Sequence, residues 1–90
     1  MFGKNINYFI RDKNKYIASR INFAKLILQQ MHGRKFFYSM PELLDDTGIC
    51  IIENITYDMY LDVFIYIIKD CDTNQIYITD RCNLYLVEMH

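Results

Sequence analysis

The chain has 90 residues, 52% of them hydrophobic and 23% charged, with one proline, three glycines and a net charge of −1. These bounds describe one compact domain, 1–90, and exclude a disordered tail, a low-complexity segment or a repeat array. A domain of this size buries only about 60–65% of the surface its unfolded chain exposes, so its core has to be dense.

The small net charge conceals an uneven distribution. Residues 1–40 carry eight basic residues against Asp12 alone, a net of +7, while residues 41–90 carry ten acidic residues against Lys69 and Arg81, a net of −8. Either the two halves neutralise each other, within one fold or across a homodimer, or one face meets a partner of opposite charge. Ile, Asn, Lys, Tyr and Phe make up 41 of the 90 residues. That bias follows AT-rich codons and fits a viral, phage or low-GC bacterial source.

In chain order, 4–11 (KNINYFIR) alternates weakly and reads as a short strand or arm. From Asn14 to Met31 the period changes: Ile17, Ile21, Ala24, Leu28 and Met31 form one apolar stripe, which predicts an amphipathic helix ended by Gly33. Phe36–Tyr38 reads as a short extended segment. Ser39-Met40-Pro41-Glu42 has the form of a capping box, so a short helix is expected over Met40–Asp45. Gly48–Ile55 is β-branched and too short for a helix, hence a strand.

Tyr57–Lys69 (YDMYLDVFIYIIK) has apolar residues at every odd position and reads as one continuous strand, the centre of the fold. Asp70–Asn74 is a cluster of turn formers, followed by a strand over Gln75–Thr79, a tight connection, and a last strand from Leu84 to Met89. The fold class predicted is α+β, one long amphipathic helix packed on an antiparallel meander of about four strands. Val63, Ile65, Ile67, Ile76, Ile78, Leu84 and Leu86 are expected to face the helix, leaving Tyr60, Phe64, Tyr66, Tyr77 and Tyr85 on the opposite face.

Chemical motifs are sparse. Asp70-Cys71-Asp72-Thr73-Asn74 matches the start of an EF-hand loop, but Gln75 stands where the sharp turn needs Gly and Arg81 where a bidentate Glu should close the sphere, so an Asx-type turn is expected. Cys50, Cys71 and Cys82 are odd in number and lack Cys-x-x-Cys spacing, which argues against a disulfide framework and a zinc site and places them in core or turns. His32 falls at a helix end, with no nucleophile at a recognisable spacing. No catalytic, cofactor or metal site is assigned. No apolar run reaches the length of a signal peptide or a membrane span, so a cytoplasmic protein, in the host cytoplasm if viral, is expected.

Two resemblances carry structural expectations. Phe64–Thr79 resembles the two-strand signature of GIY-YIG nucleases, with Ile65-Tyr66 and Tyr77-Ile78 in the paired positions. It departs from it with Phe64 and Thr79 in place of the glycines and without the family's catalytic Arg and metal-binding Glu, so it reads as a hairpin of similar composition. Leu43–Cys50 is similar to the second helix and turn of winged helix-turn-helix proteins. This alternative fold makes Tyr57–Lys69 a recognition helix and Gln75–Met89 the wing, and it implies a DNA- or RNA-binding regulator that uses the basic N-terminal half. Asp58 and Asp62 would then face phosphates, which opposes such binding.

The function expected is therefore a small non-enzymatic protein, a viral, phage or mobile-element inhibitor or regulator, that binds another protein. The partner would carry a basic or nucleic-acid-binding surface. The contact residues expected are Asp58, Tyr60, Asp62, Tyr66, Tyr77, Asp80 and Tyr85, an acidic and tyrosine-rich set of the kind interfaces favour.

Overall fold

A computed structural model describes residues 2–41 and 47–87, with side chains from residue 12 onward. The chain is α+β: helix α1 (Phe2–Met31) is followed by β1 (Lys35–Ser39), β2 (Thr47–Asp58), β3 (Val63–Asp70), β4 (Ile76–Thr79) and β5 (Asn83–Leu86). All five strands form one antiparallel sheet in the order β4-β3-β2-β1-β5. There are thus five strands, one more than expected, since Lys35–Ser39 joins the sheet. Residues 42–45 of the short helix expected over Met40–Asp45 lie outside the described residues, as do 88–89 of the expected last strand.

The helix begins at Phe2, so the arm expected over 4–11 is helical instead. Ile6 and Ile10 lie four apart and Ile17 lies seven further on, so the apolar stripe runs on through a segment that also alternates weakly. At the other end Gly33 takes the left-handed conformation, φ 78°, and the His32 and Arg34 amides donate to the Leu28 and Met31 carbonyls, a glycine-terminated helix end. Ala24 is buried against the core, and Ile27, Leu28 and Met31 pack on it beside Ala24.

Two observations show that the sheet is curled. β4 and β5 are the outermost strands, separated in a flat sheet by four spacings, about 19 Å. Only Asp80–Cys82 connect Thr79 to Asn83, and such a link reaches about 14 Å at full extension. In addition the rings of Tyr38 on β1 and Tyr77 on β4, three strands apart, have centroids only 5.8 Å apart. The sheet therefore closes most of the way into a barrel. Part of the bend is made in β2, where the register shifts between Ile52 and Asn54 and Glu53 is the extra residue.

The curl defines an inside and an outside. Phe36, Tyr38, Cys50, Ile52, Ile55 and Ile68 are buried inside, with Phe64, Tyr66, Tyr77, Cys82 and Leu84 packed on them. Burial among so many apolar groups pushes the Cys50 thiol up to about 12. This reverses the faces expected from the sequence on β3 and β4. Phe64, Tyr66 and Tyr77 point into the core, whereas Ile76 and Ile78 are 54% and 71% exposed on the outside.

Tyr57–Lys69 is also not one strand. Tyr57 and Asp58 end β2, residues 59–62 turn, and β3 starts at Val63, with Tyr57 paired to Phe64. Asp58 Oδ1 accepts the amides of Tyr60 (2.9 Å) and Leu61 (3.1 Å), and Asp62 adopts φ 53°. The turn is built from an Asx cap and one left-handed residue rather than from Gly or Pro, so apolar alternation runs through it unbroken. With no helix at Tyr57–Lys69, the winged helix-turn-helix alternative is excluded.

Gly48 lies beneath the Tyr38 ring, and a Cβ there would stand 2.7 Å from Asp70 Oδ2 and 3.3 Å from Tyr38 Cε1. Gly48→Ala is therefore expected to destabilise the fold by roughly 1–3 kcal/mol through overpacking. A lower midpoint at unchanged slope in urea unfolding is the confirming result.

Candidate partner interface

Three side-chain arrangements could do more than hold the fold together. The first is internal. The Tyr38 hydroxyl donates to Asp70 Oδ2 (2.7 Å), and Asp70 Oδ1 accepts the amides of Asp72 (2.8 Å) and Thr73 (2.9 Å). The Asx turn expected at Asp70–Asn74 is thus present, with Asn74 at φ 62°. The Tyr38 hydroxyl and the turn amides lower the Asp70 pKa, and burial together with this hydrogen bond drives that of Tyr38 upward. The hydrogen bonds of this group are internal to the fold and hold the turn after β3 in place.

The second arrangement is at the β2–β3 hairpin. Asp62 Oδ1 accepts two phenol hydroxyls, Tyr57 at 2.6 Å and Tyr16 from the helix at 2.8 Å. Arg20, one helical turn after Tyr16, lies 5.0 Å from the Tyr16 ring centroid and 5.7 Å from that of Phe64. The two phenols and Arg20 lower the Asp62 pKa, and the Asp62 hydrogen bond pushes Tyr57 up to about 12. Phe64 further packs against Phe23 and Tyr57, at centroid distances of 5.7 Å each. Helix and hairpin are therefore tied together at the base of the turn.

That clamp fixes the position of the turn above it, where Met59, Tyr60 and Leu61 project together, Tyr60 87% and Leu61 69% exposed. Behind them Ile17 and Ile21 of the helix, with Thr56, Tyr57 and Ile65, line an open groove of about 470 Å³. Consecutive large apolar side chains on a pinned turn, beside a shallow apolar groove, are a surface shaped for contact.

The third arrangement is the outer face of the sheet, where Phe37, Ile76, Ile78 and Tyr85 are exposed on β1, β4 and β5. Lys35 and Lys69 lie at its rim, paired in register with Ile51 on β2.

The seven residues expected to form one contact surface are dispersed. Asp58 and Asp62 flank the tip and Tyr60 crowns it, while Tyr66 and Tyr77 are half-buried inside the barrel. Asp80 follows β4, and Tyr85, 65% exposed, lies on the outer face of β5. Ile76 and Ile78 were expected on the helix-facing side and are exposed instead, while Met59 and Leu61, expected within one continuous strand, lie in the turn. Among the described residues no helix is long and apolar enough to cross a membrane. No family model, curated protein or solved structure matches the chain.

The lowered carboxylates fix an acid dependence. Unfolded Asp titrates near 3.9; Asp70 and Asp62 titrate lower when folded, so their stabilisation is present above about pH 4 and is lost as pH falls through their folded values. The melting temperature of the wild type should exceed that of Asp70→Asn at pH 7, with the gap narrowing as pH falls through the lowered folded value of Asp70; a gap independent of pH would contradict the assignment. Tyr57 works in the opposite direction, its contribution being present below pH 10 and lost as pH rises through about 12.

Proposed function

We propose that this protein is a small non-enzymatic binding protein that acts by docking the β2–β3 hairpin tip onto another protein. The observation carrying this reading is the run Met59-Tyr60-Leu61, three exposed apolar residues held rigidly by the Asp58 cap and the Tyr16–Asp62–Tyr57 clamp. A turn serving only to reverse the chain gains nothing from three large apolar groups in water. Rigidity lowers the entropy lost on binding, and a central tyrosine with aliphatic neighbours is a common anchor composition. Asp58 and Asp62 flank the tip, so the partner surface is a shallow apolar pocket bordered by basic groups, in keeping with the net −8 of residues 41–90.

A photo-crosslinking residue at position 60 tests this in cells of the native source. A discrete adduct that disappears with Met59→Ser and Leu61→Ser supports the reading, provided the melting temperature of the variant is unchanged. If the same preparation gives no adduct and instead shows strongly salt-dependent retardation of DNA or RNA, the basic helix, with Lys13, Lys15 and Lys25 exposed, is the working surface and the hairpin reading fails.

A further inference from the structure

Helix α1 shows solvent a second line of side chains besides the one packed on the core. Asp12, Tyr16, Ser19, Phe23, Leu26 and Gln30 follow one another at alternating intervals of four and three residues, so they form one seam along the helix, about 27 Å long, and all six are exposed. Tyr16 is 41%, Phe23 48% and Leu26 56% exposed, large apolar groups on a face that packing on the sheet does not use. The seam is anchored at one side, since Tyr16 donates to Asp62 and the Phe23 ring packs on Phe64. At its middle the small Ser19 leaves a cleft of about 420 Å³, bordered by Arg20, Asn22, Phe23 and Leu26.

We propose that two copies of this chain pair through the seam as antiparallel helices related by a two-fold axis. The seam is its own complement in one register. With Ser19 of one copy opposite Phe23 of the second, Tyr16 comes opposite Leu26 and Asp12 opposite Gln30, and the symmetry repeats each pair. Phe23 of each copy is then the knob that fills the Ser19 cleft of the other, large against small, twice in the interface.

Charge selects the same arrangement. Over residues 12–31 the helix carries Lys13, Lys15, Arg20 and Lys25 against Asp12 alone. In the antiparallel register these cations come level with Gln29, Ile27, Asn22 and Ile17 of the second copy, so no two of them meet. A parallel pair would set every cation, and Asp12, beside its own counterpart, which is repulsive. It would also stack Phe23 on Phe23 and leave both Ser19 clefts empty, forfeiting the contacts that filling them makes. Residues 59–61 have no place in the seam, so this pairing stands independently of the hairpin docking proposed above.

Sedimentation equilibrium on the full chain provides the test. The wild type is expected to be a dimer and nothing larger, because a two-fold contact closes on itself. Leu26→Lys, which puts a charge in the seam at an exposed position, is expected to be monomeric with unchanged circular dichroism. Ser19→Phe adds apolar surface but fills the cleft, so it too is expected to be monomeric, whereas a merely adhesive surface would associate more tightly. Gln30→Lys brings a cation opposite Asp12 of the second copy and is expected to lower the dimer dissociation constant by roughly two- to five-fold. A dimer that persists in Leu26→Lys, tighter association of Ser19→Phe, or a weakened dimer in Gln30→Lys would overturn the proposal. A monomeric wild type would overturn it as well and leave the seam to a helix of another protein.

Discussion

The hydrogen bond from Tyr38 to Asp70 is the constraint on which the rest of the structure depends. It spans β1 and β3 above β2, and it forms only because Gly48, beneath the ring, has no side chain. On one side the Tyr38 ring meets Tyr77 of β4; on the other, Asp70 organises the turn leading into β4. One carboxylate thus sets the curvature of the sheet and the direction in which the chain leaves β3. A buried carboxylate is costly unless its lone pairs are occupied. Here a phenol and two turn amides occupy them, and no buried side-chain polar atom among the described residues lacks a partner.

A second aspartate plays the corresponding role outside the core. Asp62 collects two tyrosine hydroxyls, one from the helix and one from β2, at the foot of a turn already capped by Asp58. Exposed hydrogen bonds of this kind contribute little to stability, but they remove freedom from the hairpin. They lie outside the core cluster, so their effect falls on the tip. Asp58 and Asp62, two of the three aspartates that read as contact residues in the sequence, thus act through the geometry they impose on their neighbours.

The α+β class, the C-terminal course of the helix and the Asp70–Asn74 turn were legible from the sequence, because each rests on a local rule: apolar residues three and four apart, a glycine stop, a run of turn formers. The division of Tyr57–Lys69 was not legible. A turn made from Asp58, an apolar triplet and a left-handed Asp62 carries none of the Gly, Asn or Pro signals, and the period of two runs through it. Once the turn was missed, the face of β3 and β4 followed wrongly, since both faces of these strands are apolar and alternation alone could not rank isoleucine against tyrosine. What ranked them was curvature. The narrow interior takes Tyr38, Tyr66 and Tyr77, flat rings whose hydroxyls can reach the polar rim. Ile76 and Ile78 were left outside.

The exposure of Ile76 and Ile78 is the consequence of that arrangement. The register pairs Tyr77 with buried Ile68 and so sets Ile76 and Ile78 on the other face, exposed on an outermost strand. The tip and the edges lie in different parts of the barrel, since residues 59–62 follow the far end of β2 whereas the β4 edge begins after the Asp70 turn.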